Sequence, residues 1–151
     1  MKTGNPAAVH VWLIWLKATQ AVARTSLHVL EGTELGESDF RVLELLLHKG
    51  ALPVNVIGPK VNLTPGSISV CVDRLFCKGL VSRAESATDR RVRLVELTPA
   101  GRSLIEPVFQ RHSQVLDEIF GVLTDEERGQ LEALLRKTGL SAAEVPAAET
   151  G

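Results

Sequence analysis

Residues 63–98 read LTPGSISVCVDRLFCKGLVSRAESATDRRVRLVELT, and this stretch decides the fold. Thr64 is a typical residue to cap the start of a helix, and Gly79 is a typical residue to follow the end of one. Two strands are predicted over residues 80–84 and 92–97, because their apolar and polar residues roughly alternate. The polar segment between them is expected to form a turn. The stretch therefore predicts one helix followed by a β-hairpin.

A helix next to a basic hairpin is suited to double-stranded DNA. The helix fits the major groove, and a basic hairpin tip can reach the minor groove. The predicted tip carries Arg90 and Arg91, and a shorter helix over residues 54–61 precedes the longer one. The sequence therefore predicts a winged helix-turn-helix. For the two arginines, the alternative is a hairpin tip closed by salt bridges.

Helices are also predicted on both sides of this module. Apolar residues recur at helical spacing over residues 6–30, 37–49 and 98–120, and Thr124 opens a last helix that Gly139 should end. The outer helices carry more apolar surface than one small module covers, so we expect a homodimer. The predicted fold class is mostly α with a small β-hairpin wing.

The predicted organisation has four parts along the chain. They are an N-terminal dimerisation helix in residues 1–36, a winged helix-turn-helix domain in 37–98, C-terminal dimerisation helices in 99–140 and a mobile tail in 141–151. Within the helix of the quoted stretch, the predicted core stripe is Ile68, Val72, Leu75 and Phe76. Cys71 is expected on another side of that helix.

The charge is distributed unevenly along the chain. The net charge is only −1, but residues 64–103 hold seven Lys and Arg against four Asp and Glu, whereas residues 104–151 hold four against nine. A basic block beside an acidic one is compatible with a DNA-facing module attached to another part. Ordinary surface charge is the alternative interpretation.

Other classes of protein find little support in the sequence. No nucleophile, base and acid combine into a catalytic set, so we expect no enzyme and no cofactor. The histidines are scattered without the spacing of a metal site. The apolar run over residues 9–16 is too short to span a membrane. Two cysteines without metal spacing fit a reducing cytoplasm, which is the expected location.

The chain resembles the multiple antibiotic resistance regulator (MarR) family of bacterial transcription factors over about residues 8–140. The motifs that carry the resemblance are Leu63-Thr64, Gly66-Ser67, Asp73-Arg74-Leu75, Lys78-Gly79-Leu80-Val81, Arg83, Asp89-Arg90-Arg91, Leu97-Thr98, Gly101, and Leu123-Thr124 with Glu127. Within the family, four further segments look most like regulators of quinone and phenol resistance; they are residues 55–58, 66–68, 89–92 and 118–120. The resemblance implies a homodimeric regulator, most often a repressor, that binds a pseudo-palindromic operator and responds to a small aromatic or phenolic effector.

The candidate DNA-binding residues lie on the predicted recognition helix and the wing. They are Thr64, Pro65, Ser67, Ser69, Val70, Arg74, Arg90 and Arg91. The hydroxyl groups can bond phosphates or base edges, whereas Pro65 and Val70 offer only apolar contact, for instance with a thymine methyl. Many family members carry an arginine near position 70, so specificity here would depend more on the wing and on DNA shape. Arg74 is read as a phosphate contact or as surface charge. The resemblance implies that Asp89 orients a neighbouring arginine.

Two further sets of residues are candidates for regulation. Trp15 and His48 could line an effector pocket, because the resemblance places effectors between the dimerisation helices and the DNA-binding module. Cys71 and Cys77 would serve a thiol-based sensor, although about 9 Å of helix axis between them exceeds the reach of a disulfide. The alternatives to an effector-released regulator are therefore a thiol-sensing regulator and a winged-helix adaptor that binds protein rather than DNA.

Overall fold

The computed structural model describes residues 6–145. Within that range the helices are α1 (Pro6–Ser26), a 3-10 helix (Leu27–Leu30), α2 (Glu37–Lys49), α3 (Val54–Lys60), α4 (Pro65–Cys77), α5 (Pro99–Phe120) and α6 (Asp125–Glu144). The strands are β1 (Leu52–Pro53), β2 (Val81–Glu85) and β3 (Arg93–Leu97). The predicted fold class, mostly α with a small β-hairpin wing, is confirmed.

The three strands form one antiparallel sheet in the order β1-β3-β2. The predicted hairpin is confirmed, with each strand beginning one residue later than predicted, and Val81 pairs with Leu97 at its base. Strand β1, which pairs Leu52 with Val95, was not predicted from the sequence. A two-residue strand is too short to show the alternation on which strand prediction depends.

One hydrophobic core joins α2, α3, α4, the sheet and the first half of α5. Its largest fully buried side chains include Phe40, Leu43, Leu46, Ile57, Ile68, Leu75 and Ile105. Aliphatic residues dominate this set, as the 4% content of aromatic residues requires. The core therefore supports the helix-turn-helix from behind and leaves the outer face of α4 exposed.

Two glycines set the geometry between α4, the wing and α5. Gly79 has a φ of +71°, and hydrogen bonds from Leu80 N–H to Leu75 O (3.0 Å) and from Gly79 N–H to Phe76 O (2.9 Å) close the helix in a Schellman motif. At Gly101, an added Cβ would lie 1.9 Å from the carbonyl oxygen of Leu80. A side chain at position 101 would therefore push α5 away from the start of the wing.

The predicted core stripe of α4 was wrong at two positions. Phe76 is 46% exposed, whereas Cys71 is 1% exposed and belongs to the core. The reason is that α4 packs against α2 as well as against the rest of the core, which covers the side that carries Cys71. Phe76 instead lies under the guanidinium of Arg83 on the wing, 4.7 Å from the ring centroid.

Helix ends also differ from the prediction. The first helix ends at Ser26 and continues as the 3-10 helix, and α6 runs through Gly139 to Glu144. A Cβ at Gly139 would meet nothing within 4 Å, so this glycine occupies an open helix surface and costs about 1 kcal/mol without ending the helix. Residues 141–144 of the predicted mobile tail are therefore helical, and residues 146–151 lie outside the described range.

The chain divides into two compact units, Met1–Val115 and Leu116–Gly151. The first contains the helix-turn-helix, the wing, α1 and most of α5. The second contains the end of α5 and α6, which begins with the predicted capping box: Thr124 N–H donates to Glu127 at 2.8 Å, and Glu127 N–H donates back to the Thr124 hydroxyl at 3.2 Å. No helix among residues 6–145 is both long and apolar enough to cross a bilayer.

Candidate nucleic-acid interface

The start of α4 is fixed by local hydrogen bonds. The Thr64 hydroxyl accepts from Ser67 N–H at 3.2 Å and donates to the Ser67 hydroxyl at 2.9 Å. Asn62, in the turn before α4, has a φ of +58°, a conformation that asparagine tolerates better than most residues. These bonds satisfy part of the helix N-terminus within the chain itself. The hydroxyl proton of Ser67 remains available to a ligand in front of the helix.

The exposed face of α4 carries the predicted major-groove residues. Val70 is 62% exposed, and Pro65, Ser67 and Ser69 are exposed on the same half of the helix. Recesses flank this half on both sides. One, of about 560 Å³, lies between α3, α4 and the wing and is lined by Pro65, Ser69 and Arg91 among others. The other, of about 510 Å³, is lined by Thr64, Ser67, Val70 and Arg74 among others.

The wing tip presents two cations to solvent. Arg90 and Arg91 are exposed, and neither forms an ion pair with any carboxylate in the described part of the chain. Asp89 organises the tip through the backbone, because its carboxylate accepts from Arg91 N–H at 2.9 Å and its carbonyl from Val92 N–H at 3.0 Å. The interpretation of the tip as a salt-bridged turn therefore has no support among these residues. The Asp89 carboxylate contacts the backbone of Arg91 rather than an arginine side chain, so the role implied for Asp89, orienting a neighbouring arginine, stays a prediction.

A buried carboxylate lies behind the recognition helix. The side chain of Asp39 is 3% exposed and accepts from Arg74 Nη2 at 2.6 Å, from Arg74 Nε at 3.0 Å and from Cys71 Sγ at 3.4 Å. It also accepts from Gly36 N–H at 3.2 Å, at the start of α2. Asp39 thus links the N-terminus of α2 to two residues of α4. Arg74, predicted to contact DNA, has one edge of its guanidinium committed to this carboxylate.

These contacts shift the pKa values of the Asp39 carboxyl and of the Cys71 thiol. Burial alone would raise the pKa of Asp39, but the hydrogen bonds from Arg74, Gly36 and Cys71 outweigh it and hold that pKa below its ordinary value. Burial, followed by the neighbouring Asp39 carboxylate, raises the pKa of the Cys71 thiol to about 11. Cys71 is therefore a thiol at neutral pH and a poor nucleophile.

The shift of Asp39 predicts how stability depends on pH. Because its pKa is lower in the folded than in the unfolded chain, its contribution to the free energy of unfolding is present above the ordinary value of 3.8 and is lost as pH falls through the folded value. We expect Asp39→Asn to cost about 2 kcal/mol near neutral pH and much less in acid. Denaturant unfolding at several pH values measures this, with the exposed Asp117→Asn as control. A constant difference between the parent and Asp39→Asn across pH would contradict it.

The wing is joined to α4 by a second set of contacts. Arg83 on β2 forms an ion pair with Asp73 on α4 and lies over the ring of Phe76. Neither these contacts nor the contacts of Asp39 were predicted from the sequence. Asp39 is recognisable as an acidic residue in the first turn of α2, but no sequence pattern indicates that it reaches residues 32 and 35 positions later.

The candidate regulatory residues are spread over the structure. Trp15 packs edge-on against Trp12 on α1 (5.8 Å between centroids), whereas His48 packs against Phe109 of α5 (4.6 Å). His48 also lines a recess of about 370 Å³ beside α3. The structure therefore does not join Trp15 and His48 through a ring contact. Cys77 is exposed, in contrast to the buried Cys71.

The helix-turn-helix, the exposed face of α4 and the basic wing together define a winged-helix DNA-binding protein, and comparisons with known proteins agree. A model of the MarR family matches residues 35–92. The HTH-type transcriptional regulator MhqR of Bacillus subtilis is 42% identical over 108 residues, which cover 72% of this chain and 74% of that relative. The chain belongs to the MarR family of transcriptional regulators.

Solved structures of other proteins share the fold of this chain, and one of them contains operator DNA. A Cys-to-Ser variant of MarR from E. coli, complexed with operator DNA, matches with a TM-score of 0.76 and 25% identity over 87% of this chain and 95% of that one. BpsR of Bordetella bronchiseptica matches with a TM-score of 0.74 and 27% identity over 85% and 92%. That structure addresses the regulation of BpsR DNA binding by 6-hydroxynicotinic acid.

Proposed function

We propose that this regulator binds a pseudo-palindromic operator as a homodimer, represses transcription in the cytoplasm and is released by a small aromatic or phenolic effector. The observation that carries the proposal is the exposed half of α4 beside a wing tip whose two arginines form no ion pair among residues 6–145. A helix of this kind reads base edges in the major groove, and arginines are favoured in a narrow minor groove. The operator complex of the E. coli relative supports the same mode of binding.

Exposed apolar side chains support the homodimer. On α1, Val9, Val11, Trp12, Leu13 and Ile14 are each at least 46% exposed. In the second unit, exposed large apolar residues are Val122, Leu134, Leu135, Leu140 and Val145. Exposed large apolar side chains in this number are typical of surfaces that a partner covers. A two-fold dimer would cover these faces and present two recognition helices to two half-sites.

The recess beside His48 supports an effector that carries negative charge. Lys49 and Lys60 line it together with His48 and with Arg41, whose guanidinium is paired with Glu37, and Glu44 is the acidic residue among its lining residues. Its volume, about 370 Å³, is in the range of small-molecule sites. A phenolate or an aromatic carboxylate matches this charge and size. BpsR, whose structure matches this fold, offers a precedent for regulation by a hydroxylated aromatic acid.

DNA binding itself is tested with the DNA that flanks the chain's own gene. We expect a mobility shift that survives excess nonspecific competitor, and an affinity that falls steeply with salt, since several phosphates are contacted. A footprint with two equivalent halves about one helical turn apart would match the dimer. Binding that is equal on unrelated DNA, or absent at low salt, would favour the alternative of a protein-binding adaptor.

The effector is expected to act without thiol chemistry. A Cys71→Ser, Cys77→Ser variant should still release its operator in 4-hydroxybenzoate or hydroquinone at the same concentrations as the parent. Cys71 is buried with a raised pKa, and the exposed Cys77 does not line the recess that we propose for the effector. The measurement is fluorescence anisotropy on a labelled operator, under oxygen-free conditions, with N-ethylmaleimide as the thiol-reactive comparison. If the variant binds DNA but no longer responds to the phenols, thiol sensing is the better description.

A further inference from the structure

We infer that Arg74 is a positioning residue, which together with Asp39 fixes the orientation of the recognition helix α4 on α2, rather than a residue that contacts DNA. This inference rests on the proposed function, since it concerns how α4 is presented to an operator. It changes the role expected from the sequence, where Arg74 stood among the DNA contacts.

The geometry of the pair commits Arg74 to the protein. Arg74 Nε and Nη2 both donate to Asp39 Oδ1, at 3.0 and 2.6 Å, and Nε also lies 3.4 Å from Oδ2. Side-on binding of this kind occupies one of the two hydrogen-bonding edges of the guanidinium and fixes the direction in which the Nη1 edge points. The Arg74 side chain is 43% exposed, yet its orientation is set by a carboxylate that is 3% exposed.

Asp39 in turn depends on Arg74. Its other donors are the Gly36 N–H and the Cys71 thiol, and Arg74 is the one cation paired with it in the described part of the chain. A buried carboxylate that loses its cation leaves an uncompensated charge, which is strongly unfavourable. The pair is therefore favoured in the free protein and in the DNA complex alike.

The position of Arg74 along α4 agrees with this role. Base edges are read by the N-terminal part of a recognition helix, and Arg74 lies about 6 Å further along the axis than Val70. Asp39 accepts from residues 71 and 74, one helical turn apart on the same side of α4. Two attachments on one side restrain rotation of α4 about its own axis. That rotation decides whether Ser67, Ser69 and Val70 face the groove.

The exposed pair on the other side of α4 gives a useful contrast. Arg83 and Asp73 have side chains that are 36% and 65% exposed, and exposed ion pairs contribute little. We therefore expect the pair of Asp39 and Arg74, and not the pair of Arg83 and Asp73, to restrain the rotation of α4 about its axis.

The salt dependence of operator binding separates a positioning residue from a phosphate contact. Each lost phosphate contact lowers the slope of log K against log salt by about 0.9. We expect Arg74→Met and Asp39→Asn each to weaken operator binding by about tenfold with an unchanged slope. The double variant should bind about as weakly as either single variant, because both remove the same interaction. Arg91→Met is the comparison, with a slope lower by about one unit if Arg91 contacts a phosphate.

Hydrogen exchange of α4 amides in the free protein gives a readout that needs no DNA. Both single variants should exchange faster over Cys71–Cys77 than the parent, while α6 is unchanged, and Arg74→Lys should restore part of the protection. Far-UV circular dichroism checks that each variant is folded. If Asp39→Asn does not fold, the exchange rates of the Arg74 variants test the inference.

Two results would overturn the inference. One is a lower salt slope for Arg74→Met together with normal binding by Asp39→Asn, which would make Arg74 a phosphate contact. The other is unchanged exchange of α4 in both variants. A parent protein that binds no operator would instead count against the proposed function, and the exchange data would still decide the role of Arg74.

Discussion

Replacing Arg90 or Arg91 with alanine should weaken operator binding by roughly 5- to 150-fold each, which corresponds to about 1–3 kcal/mol for the loss of a base-edge contact. Both side chains lie at the tip of the hairpin, exposed and without an ion pair in the described part of the chain. Their charge is therefore free for DNA. Each phosphate contact that is lost should also lower the salt slope by about one unit.

The fold should survive these substitutions, because the tip is held by its backbone. Asp89 accepts from Arg91 N–H, and Ser86 N–H donates to Val92 O at 3.0 Å, so neither arginine side chain is needed for the turn. Arg136→Ala is the matched control, since Arg136 lies on α6 and pairs with Glu132 one turn away. Titration of one operator at two salt concentrations measures all three variants. Wing variants that bind like the parent, beside a weakened Arg136→Ala, would place the DNA-binding face elsewhere.

The double substitution Leu13→Asp, Ile14→Asp on α1 should convert the protein into monomers and remove specific operator binding at micromolar concentration. These side chains are 46% and 56% exposed in the single chain, so covering the exposed half of each is worth about 0.7–1.5 kcal/mol, half of the value for full burial. A two-fold interface repeats every loss in both subunits, so the combined effect is on the order of a thousandfold in the dimer dissociation constant. DNA affinity then falls because one subunit reaches only one half-site.

Sedimentation equilibrium and operator titration measure the two effects in the same samples. Gln20→Glu, an exposed polar substitution on the same helix, should leave both unchanged. A parent that sediments as a folded monomer at micromolar concentration would contradict the dimer. A double variant that stays dimeric would show that α1 is not the interface, even if the dimer is real.

Much of the DNA-binding module could be predicted from the sequence, because its signals are local. Thr64 accepts a hydrogen bond from an amide three residues away, and the positive φ of Gly79 ends α4 where a glycine stands in the sequence. The alternation of apolar and polar residues in the two wing strands predicted the ends of each strand to within one residue. Such signals act over a few positions and therefore survive in a single sequence.

The features that could not be predicted depend on distant partners. Helical periodicity favoured Phe76 over Cys71 as the buried residue, and only the packing of α4 against α2 reverses that order. The hydrogen bonds of Asp39 to residues 71 and 74 span more than thirty positions and leave no periodic trace. The continuation of α6 through Gly139 reflects an open surface there, which a sequence does not reveal.

The first half of the recognition helix carries the exposed residues that we propose face DNA, and the second half carries the contacts to α2. This separation has a practical consequence for engineering new operator preferences. Ser69 and Val70 are exposed and have no side-chain hydrogen bond or ion pair among residues 6–145, so substitutions there should leave the attachment of α4 to the core unchanged. Cys71 and Arg74 attach the helix to Asp39 on α2, so substitutions there would change the orientation of α4 rather than its base contacts. A library of variants confined to the first half of α4 would change base preference without changing the orientation of the helix. A recognition helix transplanted to another scaffold would need an acidic partner equivalent to Asp39.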